Sequence, residues 1–160
     1  MAREVSVLFV CTGNIFRSMT AEYALRQALG EQPVRVRSAG LIDAPHEIVD
    51  FVREYLSARD LDISQHVPTR LQPAMLDDAD LVVAMDFAHR DAIETRFGRR
   101  MPLFSEVAFG NEAPLLDVYE VVPDWHNNEA AATQYGRSVM DTIFDGMPGF
   151  VRRMHDFIDR

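Results

Sequence analysis

The residues best equipped for chemistry stand in one run near the start of the chain, Cys11-Thr12-Gly13-Asn14-Ile15-Phe16-Arg17-Ser18. A thiol, an arginine and a hydroxyl share one turn. Successive backbone N–H groups of such a turn, running into a helix N-terminus, form a cradle for an anion. Gly13 lets the backbone take conformations closed to other residues. Arg17 offers a planar fork that matches two oxygens of a phosphate-like group. Cys11 sits at the floor, where the same donors and the arginine charge favour thiolate over thiol. A thiolate is a nucleophile that needs no separate base. Ser18 can donate a hydrogen bond to the sulfur and so improve it as a leaving group. A lone cysteine at a strand end is more often a small buried hydrophobe. Here Gly13, Arg17 and the flanking pattern argue for chemistry. A Walker nucleotide loop is disfavoured because no G-K-[ST] follows.

The flanking pattern must position this turn. Val5, Val7, Leu8, Phe9 and Val10 form a short, nearly continuous apolar run, as a buried parallel strand does. Ala21, Ala24, Leu25, Ala28 and Leu29 then recur at helical spacing, and Gly30 stops the helix. A second strand is expected at Val34–Ser38. A second helix follows Pro45, with Ile48, Phe51, Val52, Tyr55 and Leu56 on one face. Leu61–Leu71 reads as an irregular connection. Leu81–Met85 is a third buried strand, Phe87–Phe97 a helix and Met101–Phe104 a fourth strand. Leu116–Asn128 is irregular. Met140, Ile143, Phe144, Met147, Val151, Met154 and Ile158 keep one helical phase to the end, with a kink or break expected at Gly146, Pro148 and Gly149. Alternation of strand and helix implies a parallel sheet covered on both faces. Ligands of such folds bind beyond the carboxyl ends of the strands, where Cys11 to Ser18 lies.

Composition excludes several classes. The chain has 160 residues, 48% hydrophobic and 26% charged, the make-up of one globular domain over 1–160. Its formal charge of -9 argues against nonspecific binding to nucleic acid or anionic membrane. One cysteine makes an internal disulfide and a multi-thiolate zinc site impossible. No apolar run approaches the ~18 residues of a membrane span. The start, Met1 to Val10, reads as a strand rather than a leader, and a cytoplasmic protein is expected. His46, His89, His126 and His155 show no metal-ligand spacing. Asp77, Asp78 and Asp80 read as a helix end and strand entry, not a magnesium site.

Val10 to Ser18 resembles the V-C-x-G-N-x-C-R-S-P signature of the low-molecular-weight protein tyrosine phosphatase family. Further likenesses follow in order along the chain. Ser38-Ala39-Gly40 is similar to the family's S-A-G, and Asp62 to Arg70 to its D-I-S-x-H-x-x-R segment. Ala84-Met85-Asp86 resembles its C/A-M-D, and Val122-Pro123-Asp124-Trp125 stands where the family has V-P-D-P-Y/W. The resemblance implies a three-layer, doubly wound α/β sandwich with a central four-stranded parallel sheet, order 2-1-3-4. It implies a phosphatase that hydrolyses phosphotyrosine monoesters through a phosphocysteine on Cys11. Arg17 and the amides of Thr12, Gly13, Asn14, Ile15 and Phe16 would bind the phosphate oxygens. Asp124 would act as general acid and then base, with Asp117 the runner-up seven residues upstream. Ser18 would support the sulfur, and Asn14, Ser38 and His66 would hold the loop. Trp125 would either wall the substrate ring or simply anchor the surface. No metal or organic cofactor is implied. The partners expected are a phosphotyrosine-containing protein and inorganic phosphate, as product and inhibitor, with no nucleic acid and no membrane. The chain is expected to be a monomer or weak dimer.

Departures from the pattern shape the alternatives. Phe16 replaces the family's second loop cysteine, leaving an oxidised Cys11 without an internal resolving thiol. Met19 replaces a proline, and Asp124-Trp125 lacks the intervening proline. Leu41–Glu47 lacks the aromatic often found after S-A-G. Ile15 accompanies tyrosine phosphatases in this family, whereas threonine there accompanies arginine phosphatases. The alternatives are therefore a phosphoarginine phosphatase, an arsenate reductase using an external thiol, or a phosphoprotein-binding module with weak catalysis.

Overall fold

The computed structural model describes residues 4–158. Met1 to Arg3, the start of the stretch weighed as a leader, and the last two residues of the expected domain lie outside the described residues. The elements run β1 (Val5–Cys11), α1 (Arg17–Leu29), β2 (Val34–Gly40), α2 (Asp50–Ala58), α3 (Pro73–Asp78), β3 (Leu81–Ala84), α4 (Phe87–Phe97), α5 (Phe104–Phe109), α6 (Val118–Val121) and α7 (Glu129–Ile158).

The three strands are parallel, in the order β2-β1-β3. The period-two geometry of a strand sends successive side chains to opposite faces. Val7, Phe9 and Cys11 of β1 therefore join Leu81 and Val83 of β3 in a core that includes residues of α1, α2, α5 and α7. Leu8 and Val10 join Val82 and Ala84 in a second core with residues of α3 and α4. Both faces are covered, and this is why β1 reads as a nearly continuous apolar run.

The fourth strand is absent from the sheet. Only an isolated parallel bridge, Ala84 to Leu103, survives of the expected Met101–Phe104 strand. Pro102 has no N–H to continue a ladder. Leu103 is already the N-cap of α5, its N–H donating to Glu106 Oε1 at 3.0 Å and its carbonyl accepting from Glu106 N at 3.1 Å. The expected break in the last helix is absent too: α7 runs unbroken through Pro148. Gly146 and Gly149 mark close packing instead, since a Cβ on Gly149 would run into the Ala108 carbonyl of α5. Phe150 lies between Phe9 and Phe104, at ring-centroid distances of 5.3 and 5.7 Å, and holds the helix on course past the proline. Three short helices, α3, α5 and α6, carry too few residues to show a helical period.

Candidate active site

The turn from β1 to α1 sits at the carboxyl edge of the sheet, clamped from both sides. Leu41 and Ile42 donate to the Cys11 and Thr12 carbonyls, both at 3.0 Å. Gly40 lies against the turn so closely that a Cβ there would stand 2.7 Å from the Thr12 carbonyl oxygen. Gly13 plays a different part from the one expected. Among the loop residues the left-handed backbone belongs to Asn14, at φ 60, a conformation asparagine tolerates better than most residues. What Gly13 provides is room, because Pro45 Cδ would stand 2.9 Å from a Cβ at that position.

Asn14 ties the loop together from a fully buried position. Its amide nitrogen donates to Ser18 Oγ at 3.0 Å and Ser38 Oγ at 2.8 Å. Its side-chain oxygen accepts from the Thr69 N–H at 3.0 Å, and its carbonyl meets His66 Nε2 at 2.9 Å. The Ser38 hydroxyl in turn donates a hydrogen bond to Glu22 Oε1. The structure thus brings together Asn14, Ser38 and His66, the residues expected to hold the loop, and adds Ser18 to the same network. Phe16 is buried edge-on against Phe51 of α2, with centroids 6.1 Å apart, which is how the loop backing absorbs its bulk.

Cys11 lies at the floor, buried, with Sγ 2.9 Å from Ser18 Oγ. None of the N–H groups from Thr12 to Met19 makes a turn, loop or cap hydrogen bond among the described residues. They line the start of α1, whose N-cap Phe16 offers no side-chain acceptor. Helix N-terminal amides in this state favour a bound anion. Arg17 is buried to 1% exposure. Its Nη1 donates to the Leu115 carbonyl at 2.8 Å, and its Nη2 to Thr12 Oγ1 at 3.2 Å and Asp117 Oδ2 at 3.1 Å. Asp86 and Glu120 stand 3.6 and 3.9 Å away. The Arg17 Nε is buried without a partner, a donor that an oxyanion in the loop would satisfy.

The two candidate acids fall in different places. Asp117 caps α6, accepting from the Val118 N–H at 2.7 Å while it contacts Arg17. Tyr135 on α7 steadies this stretch, donating to the Leu116 carbonyl at 2.8 Å. Tyr119 follows on α6 and its hydroxyl interacts with Thr12. Burial holds that phenol above the usual tyrosine range, helped by Glu120 and Asp117. Asp124 is exposed, and its carboxylate makes no hydrogen bond or ion pair among the described residues. Trp125 beside it packs on His46, with centroids 6.4 Å apart, next to the Pro45 that covers Gly13.

One residue at the site had no signal in sequence. His89 on α4 is 2% exposed, and its Nε2 lies 2.9 Å from Thr12 Oγ1. Burial, then the nearby Arg17 charge, pushes its pKa down to about 3, so the ring is neutral at ordinary pH. His89 lies one helical turn after Asp86, which the Ala84-Met85-Asp86 resemblance marks, and that spacing is the pattern that could have pointed to it.

Among the described residues no group of His, Cys, Asp and Glu side chains could hold a metal ion. A family model described as low molecular weight phosphotyrosine protein phosphatase matches residues 6–108. The chain belongs to that family. The matched stretch contains the phosphate loop, Ser38 and His66 and stops short of both candidate acids. A protein-arginine-phosphatase of Bacillus subtilis is 34% identical over 122 residues, covering 72% of this chain and 80% of the relative. A probable low molecular weight protein-tyrosine-phosphatase of Ralstonia nicotianae is 36% identical over 92 residues, covering 57% of this chain and 62% of the relative. In fold the chain is similar to the crystal structure of a YwlE mutant from Bacillus subtilis. There the TM-score is 0.78 at 24% identity, covering 94% of this chain and 99% of that one. The low molecular weight phosphatase family consists of hydrolases, and the strand–loop–helix unit described above carries its signature cysteine and arginine.

Proposed function

We propose that this enzyme hydrolyses phosphotyrosine monoesters of proteins. The observation that carries the proposal is the Cys11–Ser18 pair at 2.9 Å, lying in the same short turn as Arg17, whose Nε is buried and unpartnered. The Cys11 thiolate attacks phosphorus, forming an S–P bond as the bond to the phenolic oxygen breaks. Arg17 and the amides of Thr12 to Phe16 hold the equatorial oxygens, whose charge grows in the transition state. The leaving oxygen takes a proton from a carboxylic acid. Of the two candidate acids Asp117 is assigned that role, because it lies against the phosphate-binding arginine and the Asp124 carboxylate does not. The resulting carboxylate then takes a proton from water as the water oxygen attacks phosphorus. The S–P bond breaks, Ser18 supports the departing thiolate, and inorganic phosphate leaves. Phosphate is thereby both a product and a competitive inhibitor. No described helix is long and apolar enough to cross a membrane, and a cytoplasmic phosphoprotein suits the reading.

A second reading is dephosphorylation of phosphoarginine, favoured by the 34% identity to the protein-arginine-phosphatase. Ile15, apolar and buried in the loop, supports tyrosine. Parallel turnover of a phosphotyrosine peptide, phosphoarginine and arsenate by the wild type and Cys11→Ser tests all readings. The expected result is phosphate release from phosphotyrosine alone, abolished by Cys11→Ser. Faster release from phosphoarginine selects the second reading, and phosphotyrosine turnover that survives Cys11→Ser defeats the mechanism.

A further inference from the structure

Seven large apolar side chains are exposed among the described residues: Ile42, Val49, Val67, Phe109, Tyr119, Val121 and Trp125. All but Phe109 lie on three segments that border the phosphate loop. Residues 41–49 run beside it, through the Leu41 and Ile42 hydrogen bonds and the seating of Pro45 on Gly13. Residues 62–70 touch it where His66 and Thr69 bond to Asn14. Residues 117–125 reach it through Asp117 on Arg17 and Tyr119 on Thr12. The His46–Trp125 contact joins the first segment to the third. Apolar surface gathered in this way around a polar site marks a place where another molecule docks.

Charge selects the occupant. Residues 41–50 and 117–129 carry Asp43, Glu47, Asp50, Asp117, Glu120, Asp124 and Glu129 and no lysine or arginine. Asp117 and Glu120 face Arg17, but Asp43, Glu47, Asp50 and Asp124 are exposed. The middle segment balances Asp62 with Arg70. A second copy of a chain of charge -9 is repelled by this face, as are nucleic acid and anionic lipid. A peptide with arginine or lysine next to apolar residues is complementary to it.

We infer that this acidic and apolar collar docks the residues flanking the phosphorylated side chain, and that it selects phosphotyrosine in a basic, apolar context. The inference rests on the phosphotyrosine reading of the loop and names its substrate class. Three residues on either side of the phosphotyrosine each span ~10 Å at 3.3 Å per residue.

The test compares kcat/KM for phosphotyrosine peptides of one length whose flanks carry Arg with Leu, Gln with Ser, or Glu with Ser. Exposed ion pairs are individually weak, so several together are expected to give about tenfold preference for the Arg and Leu flanks over the Glu flanks. High salt shrinks the charge-dependent part. Asp43→Arg with Glu47→Arg removes the preference and leaves turnover of p-nitrophenyl phosphate unchanged. Ile42→Ser with Val67→Ser raises KM for the apolar peptide several-fold. Equal kcat/KM for all flanks, or a preference untouched by the double arginine variant, overturns the inference. So does a dimer in sedimentation that Val67→Ser breaks, which gives the collar to a second copy. If p-nitrophenyl phosphate and phosphotyrosine are not hydrolysed at all, the catalytic reading fails. Peptide binding to Cys11→Ser then judges the collar alone: tighter binding of the basic peptide supports it, and equal binding defeats it.

Discussion

The phosphate loop and the acid-bearing stretch face each other across one arginine, yet they are built by opposite means. From Cys11 to Ser18 every residue except Thr12 is buried. The buried Asn14 alone makes four hydrogen bonds that fix the loop to α1, β2 and the 66–69 connection. The stretch from Leu115 to Trp125 is mostly exposed or half-buried. It hangs from a few anchors: Leu115 N on the Met85 carbonyl at 3.0 Å, Tyr135 on Leu116, and Asp117 on Arg17. An anion site needs donors fixed before the ligand arrives, because reorganising dipoles during the reaction raises the barrier. A general acid must instead meet leaving groups of varied shape and exchange protons with water. Density of contacts suits the first task and sparseness the second.

The sharpest way to break this contrast is to remove the acid. Asp117→Asn is expected to lower kcat on a phosphotyrosine peptide by roughly 10²–10⁴-fold, the range for a positioned acid–base group. The loss shrinks for p-nitrophenyl phosphate, whose leaving group needs less protonation. Asp124→Asn is expected to change kcat less than about threefold. The reverse ranking in steady-state kinetics returns the acid role to Asp124.

His89 probes the rigid side through pH. Its folded-state pKa of about 3 lies below the unfolded value of 6.5. Between these values the unfolded chain holds a proton that the folded chain refuses. The stability from the neutral ring is complete above pH 6.5 and is lost as pH falls toward 3, with the full gap worth roughly 5 kcal/mol. Urea unfolding at pH 7 and pH 4 should show a smaller difference for His89→Gln than for the wild type. Equal differences would show that the His89 ring adds nothing to the pH dependence of stability.

Asn14→Ala should cost about 2–3 kcal/mol, because it strands buried partners and puts a Cβ residue without compensation into a left-handed turn. At this chain length that corresponds to a fall of roughly 5–10 °C in Tm by calorimetry. An unshifted Tm would mean that the loop is not held by Asn14. Tyr135→Phe sits at the small end. Losing one hydrogen bond costs about 1 kcal/mol and should loosen the acid stretch. A several-fold fall in kcat with unchanged affinity for phosphate is expected, and weaker phosphate binding would show that the two regions are not separable.

Much of the fold was legible because β1 and β3 are buried on both faces and therefore read as apolar runs. The helix expected after β3 forms, over Phe87–Phe97. Met101–Phe104 misled because its apolar pattern fits a strand, while the missing N–H of Pro102 and the capping duty of Leu103 decide otherwise. Gly146, Pro148 and Gly149 suggested a break because close helix packing against Ala108 leaves the same mark as a helix stop. The phosphate loop was legible because its parts are contiguous. The contact behind the proposed choice between Asp117 and Asp124 was not, since both sit in plausible surroundings and the meeting of Asp117 with Arg17 spans 100 residues of sequence.

Local order along the chain encodes the chemistry of the loop. A strand, a turn with Cys11, Arg17 and Ser18, and a helix must follow one another, and their backbone donors converge wherever that unit folds. Which distant groups face the turn follows from packing. His89 meets Thr12 across 77 residues and Leu115 meets Arg17 across 98. Such pairings are set by the parallel order of the strands and the packing of helices on the sheet. Those are properties of the whole chain, and no single segment can specify them.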